Sequence, residues 1–200
     1  HFYCEGDAPL HLAEGDYSIK VWRGPEYRVL EKEIKIEAGR EQIINLELER
    51  WIDLAGKGWY SGENHTHANY GYGHWYNFPE TIIRQVQGED LNVCNAVVAN
   101  SDGDGVMDRE FFRGGLDPKS TKTHMVYWNQ ELRSTIWGHL TLQNLTQLVE
   151  PIFLGFKGTT NPYDVPTLAD VEQEVIDQGG AVSYTHPASN SKDLYDRAYT

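Results

Sequence analysis

Apolar and polar residues alternate along much of the first fifty positions. Tyr17, Ile19 and Val21 alternate with Ser18 and Lys20, and Ile34 and Ile36 alternate with Lys35 and Glu37. Ile44, Leu46 and Leu48 alternate with Asn45, Glu47 and Glu49. A period of two places every second side chain on one face of a strand. Gly15-Asp16, Arg23-Gly24-Pro25 and Ala38-Gly39 supply turns between these runs. The pattern predicts antiparallel strands with one wet face, a small β-sandwich-like segment over residues 1–52.

The pattern changes after Trp51. Gly58–His67 reads as a strand, Pro79–Gln87 as a helix with Ile82, Ile83 and Val86 on one side, and Leu91–Ala99 as a buried parallel strand. Met125–Trp128 is a short strand followed by Glu131, and Leu140 and Leu142 mark another just after His139. A helix spans about 168–178, with Thr167 and Asp170 forming a capping box and Gly179 ending it. Ala181–Tyr184 is a strand leading into Thr185-His186-Pro187. Strand–helix alternation predicts an α/β sheet or barrel over residues 53–200.

Composition narrows the partners. Two hundred residues, 40% hydrophobic and 12% aromatic, can bury one sizeable core. A formal charge of −13 argues against nucleic acid or an anionic membrane surface as partner, and no apolar run reaches transmembrane length. Cys4 and Cys94 are too few for a disulfide framework or a cysteine-built zinc site. Asn64-His65-Thr66 and Asn144-Leu145-Thr146 match the glycosylation triplet, a pattern that arises readily by chance.

The candidate chemistry lies at strand ends. His65 and His67, one residue apart at the end of a strand, point to one face, where two imidazoles can hold a divalent metal. Glu131, His139 and His186 each lie at or beside the edge of a predicted strand. In an α/β barrel such edges carry the chemistry. Four imidazoles and a carboxylate at one mouth would bind one or two ions, with Glu131 between them. Taken singly, each residue reads more simply as a strand cap or a solvated group. His74, in a Gly/Tyr-rich loop, and Arg133, near Glu131, are candidates for contact with substrate. His1, His11 and His124 read as surface or structural histidines.

Three motifs in order, WYSGENHTH, NQELRSTIWGHL and GGAVSYTHP, resemble the PHP (polymerase and histidinol phosphatase) superfamily, closest to its CehA/McbA-like branch of metal-dependent hydrolases. The resemblance covers roughly Lys57 to Pro187. It implies a distorted (β/α)7 barrel with zinc, manganese or iron held at its strand ends. His65 and His67 match the family's first ligand pair, Glu131 the bridging carboxylate, His139 the GH element and His186 the HP element. Glu131 and His139 are thereby the expected catalytic pair. The implied activity is attack of metal-activated water on an ester, carbamate, amide or phosphoester of a small molecule.

The chain departs from the family pattern in three places. Glu63 replaces the aspartate of GDxHxH. LNVCNAVVAN over residues 91–100 places Val98 and Ala99 where many members carry the aspartate and histidine of T-D-H. The late Asp-x-His pair is absent before Thr200, which reads as a barrel truncated at its C-terminus. These departures motivate an alternative, a non-catalytic binding or adhesion module on a degenerate barrel. For that reading, Asn100-Ser101-Asp102-Gly103-Asp104-Gly105 partly resembles a calcium loop, although Phe111 occupies its twelfth position and Glu110 comes one place early. A sandwich preceding such a barrel suggests a periplasmic or secreted protein.

Overall fold

A computed structural model of the chain describes residues 1–69, 76–100 and 103–186, the side chain of Asn100 excepted. Its first unit is a hairpin of β1 (Gly15–Val21) and β2 (Leu30–Ile36), antiparallel and in register from Gly15 opposite Ile36 to Val21 opposite Leu30. The third alternating run, Ile44 to Leu48, joins no strand ladder, and only Arg50 makes an isolated bridge, to Tyr27. The described N-terminal β-structure is therefore a two-stranded ribbon rather than a sandwich. Alternation prepares a chain to pair but does not provide the partner strand.

Ion pairs tie the ribbon to the rest of the chain. Arg23 bonds Asp90 at 3.0 Å, and Tyr27 lies under both Arg23 and Arg50, whose guanidinium carbons sit 5.4 and 5.5 Å from its ring centre. Gly24, at φ +54°, passes so close that a Cβ would lie 2.2 Å from the carbonyl oxygen of Glu89. Any larger residue would push the two units apart.

The second unit is built on one seven-stranded mixed sheet. Its path is β3 (Gly62–Thr66), β4 (Val93–Asn100), β6 (Met125–Ser134), β7 (Gly138–Gln143) and β9 (Ala181–Tyr184). Two short strands, β5 (Val106–Met107) and β8 (Phe153–Leu154), pair with β4 and β6. β3, β4 and β6 run parallel, β7 runs antiparallel to β6, and β9 runs antiparallel to β7. Gly138, at φ +84°, sits where β6 turns back into β7. The sheet curls: Asn64 of β3 donates to Ser183 of β9, and Gln143 of β7 donates to Asn64.

This architecture overturns the (β/α)7 barrel. Only two α-helices occur among the described residues, α1 (Pro79–Gly88) and α2 (Leu168–Asp177). A parallel barrel needs a helical crossover after nearly every strand. Here Gly138 allows β6 to turn directly back as a hairpin. The connection after β7 runs through Pro151, Pro162 and Pro166 before α2 starts, and proline removes the N–H donors a helix needs.

Each helix forms where its sequence predicts it. α1 has Pro79 in its first turn and buries Ile82, Ile83 and Val86. α2 carries the capping box: the Thr167 hydroxyl accepts from the Asp170 N–H, and the Asp170 carboxylate accepts from the Thr167 N–H. Both helices cover one face of the sheet. α1 packs with Cys94, Ala96, Val126 and Trp128, while α2 packs with Leu132, Leu140 and Leu142. None of the described helices is long and apolar enough to cross a membrane.

Two outcomes check this packing. Leu142 is fully buried against α2, so Leu142→Ala should cost about 2–5 kcal/mol in urea unfolding. The two cysteines are unpaired, Cys4 exposed and Cys94 buried, and burial pushes the Cys94 thiol up to about 11. At pH 8 its thiolate fraction is then about one in a thousand. Iodoacetamide should modify Cys4 in the native protein and reach Cys94 only after unfolding, as read by mass spectrometry.

Candidate metal centre

The sheet face opposite the helices is polar, and strand alternation explains why. On β6, Trp128, Gln130 and Leu132 point toward the helices, so Asn129, Glu131 and Arg133 point the other way. Glu131 pairs with Thr141 and Arg133 with His139, and residues directly opposite in an antiparallel ladder share a face. Thr141 pairs in turn with Ser183 on β9. The reversal of β7 brings His139, near its start, to the same end of the sheet as the last residues of β6. β9 reverses again and delivers His186 there as well. A bulge between Glu63 and Thr66 bends the end of β3 and its histidine pair toward this face.

Glu131 is the centre of the cluster, 2% exposed at its side chain. Its Oε2 lies 3.0 Å from His67 Nε2 and 3.7 Å from His65 Nε2. Its Oε1 lies 3.0 Å from His139 Nδ1 and 3.8 Å from His186 Nε2. His65 Nε2 and His67 Nε2 are 3.1 Å apart. The donor atoms form two groups that share Glu131, His65–His67–Glu131 and Glu131–His139–His186, each with its atoms within 4.8 Å of one another. Both groups have the donor types and spacing to hold a divalent cation.

Electrostatics act on two members of the cluster, Glu131 and His65. Burial pushes the Glu131 carboxyl upward, but the imidazoles of His139, His186 and His67 outweigh burial and hold it well below the usual carboxylate range. Burial pushes His65 down, against the pull of Glu131, and the neighbouring imidazoles add to the downward shift. An ionised carboxylate beside a neutral imidazole is the pair a metal requires. Glu131 Oε2 and His139 Nδ1 are buried without an aligned hydrogen bond among the described residues, although imidazole or carboxylate atoms stand 3.0 Å away. Buried polar atoms in that condition fit coordination of a cation between them.

The surrounding residues orient these side chains. His65 Nδ1 contacts Thr141 Oγ1 at 2.8 Å, and Thr141 Oγ1 contacts Thr185 Oγ1 at 2.8 Å. That chain turns His65 Nε2 toward Glu131. His186 adopts φ +41°, a left-handed conformation costly for a residue with a Cβ, and from it the ring reaches the carboxylate.

The structure thus brings together His65, His67, Glu131, His139 and His186. Glu131 lies inside β6, which runs on to Ser134, rather than after a strand ending at Trp128. Arg133 shares the face of Glu131, with its guanidinium 5.9 Å from the centre of the Phe156 ring. His74 lies outside the described residues. His124 is remote from the cluster, 3.5 Å from Asp90. Ser101 and Asp102 of the calcium-like run also lie outside the described residues. Asp104 accepts from Thr160, Glu110 accepts from Tyr76, and Phe111 packs on Trp128 with ring centres 4.9 Å apart. The twelfth position of that run is therefore a core residue.

Thr141 and Thr185 were not singled out from sequence. Thr141 follows His139 by two residues, and that period would have marked it once the hairpin was known. No family model, curated protein or solved structure matches the chain.

Thr141→Val keeps the side-chain volume and removes the hydroxyl that joins His65 to Thr185. Thr141 is fully buried, so the substitution should cost about 1–3 kcal/mol in urea unfolding.

Proposed function

We propose that the chain is a metal-dependent hydrolase whose divalent ions, zinc, manganese or iron, are held by His65, His67, Glu131, His139 and His186. One observation carries this reading: a single buried carboxylate presents each of its oxygens to a separate pair of imidazoles. That arrangement suits two cations sharing one carboxylate. The resemblance of the three sequence motifs to the PHP superfamily points the same way.

Divalent cations, when bound there, would supply Lewis acidity and lower the pKa of a water. The chain's own residues do the rest. Glu131 supplies negative charge to both halves of the site and stays ionised under its imidazole neighbours. Thr141 holds His65 with Nε2 toward the carboxylate. His139 reaches Oε1 from the neighbouring strand and, with His186, completes the second half. The substrate class is a small-molecule ester, carbamate, amide or phosphoester. Arg133, one pleat beyond Glu131 on the same face, would be the side chain to meet an anionic group of that substrate.

ICP-MS of the purified protein should find about one to two equivalents of zinc, manganese or iron. The His65→Ala/His67→Ala double variant and Glu131→Ala should keep the far-UV CD spectrum, lose metal and lose hydrolysis of ester or phosphoester substrates. Undiminished metal and activity in both variants would overturn the proposal.

A further inference from the structure

Among the described residues, Asp108 is a fully buried carboxylate that belongs to neither half of the metal cluster. It follows β5 directly and has φ +67°, in the left-handed region. Its Oδ2 accepts from the backbone N–H of Asn69 at 3.1 Å, and its Oδ1 accepts from Asn69 Nδ2 at 2.6 Å. Asn69 is itself buried, two residues after His67. Its side chain also accepts from the N–H of Asn77 at 2.7 Å, and Asn77 Nδ2 donates back to the carbonyl of Ala68 at 2.7 Å. The backbone leaving the histidine pair is thus held from behind by the Asp108 carboxylate and from the side by Asn77.

We propose that Asp108 is a positioning residue for the metal cluster: by gripping both donors of Asn69 it fixes the path of the chain out of His67, and with it the aim of His67 Nε2 at Glu131 Oε2. Burying a carboxylate and placing a non-glycine residue at positive φ both cost free energy. Both costs fall on one contact next to a ligand. A serine or amide would close an ordinary loop at lower cost, whereas two charge-assisted bonds define a direction. Residues that orient ligands in this way commonly change metal affinity by about 10–100-fold when replaced. The purpose of this device rests on the hydrolase reading, but its geometric part can be read without metal.

The test uses protein labelled with 15N-histidine, first metal-free and then titrated with Co2+. Asp108→Ala removes the grip, Asn69→Ala removes its side-chain arm together with the two bonds between the Asn69 amide and the Asn77 backbone, and Asp108→Asn keeps one acceptor. In metal-free Asp108→Ala and Asn69→Ala, the ring resonances of His67 should move or broaden while those of His139 and His186 stay in place. Cobalt affinity should fall about tenfold or more in Asp108→Ala, and Asp108→Asn should recover part of the loss. Folded variants with wild-type His67 resonances and wild-type cobalt affinity would overturn the proposal. If Asp108→Ala does not fold, Asn69→Ala decides by the same readings. Displaced His67 resonances in variants of a protein that binds no cobalt would refute the hydrolase reading while leaving the positioning role standing.

Discussion

The carboxylate of Glu131 organises the second unit. It is buried, ionised and touched on both oxygens by imidazoles arriving from three other segments of the chain. A lone carboxylate in such a place would take up a proton or draw in water. Here the surrounding nitrogens keep it charged, and its burial in turn requires those nitrogens to stay near. The bulge at the end of β3, the reversal of β7 and the left-handed turn at His186 all meet at this group.

The sheet separates stability from chemistry by its pleat. One face supplies Trp128, Leu132, Leu140 and Leu142 to the helices, and the other supplies Glu131, His139 and Thr141 to the cluster. Adjacent residues on β6 and β7 therefore serve opposite roles, and a one-residue slip in register would exchange them. Gln130 is the exception on the helix side. It is fully buried, and its amide both donates to the carbonyl of Val149 and accepts from the Val149 N–H, which closes the polar group off from the core.

The difference between the anticipated barrel and the mixed sheet has a local cause. Apolar runs identify strands but say little about their direction. Within the run Leu91–Ala99, residues Val93 to Val98 pair parallel with β3 and β6, as their continuous apolar character suggests, and only the end of the strand, from Ala99, pairs antiparallel with β5. Leu140 and Leu142 carry the same kind of signal, yet Gly138 lets their strand fold straight back on β6. That reversal also explains His139. It precedes its apolar segment in sequence, which is an awkward place in an all-parallel barrel and the right one in a hairpin.

Several features were settled by residues close together in the chain. The Thr167–Asp170 box starts α2, Pro79 starts α1, and the alternation of Tyr17 to Val21 with Ile34 to Ile36 yields the ribbon. The members of the cluster were legible too, because His65-x-His67, Glu131, His139 and His186 each sit beside an apolar run. Local hydrogen bonding and side-chain period decide such matters within a few residues. Only the tertiary structure decided that the N-terminal runs stop at two paired strands, that β7 reverses, that Thr141 orients His65, and that Asp108 holds Asn69 across 39 positions of chain. Those outcomes depend on strand partners, sheet curl and the burial of charge, which arise between segments distant in sequence and leave no period along it.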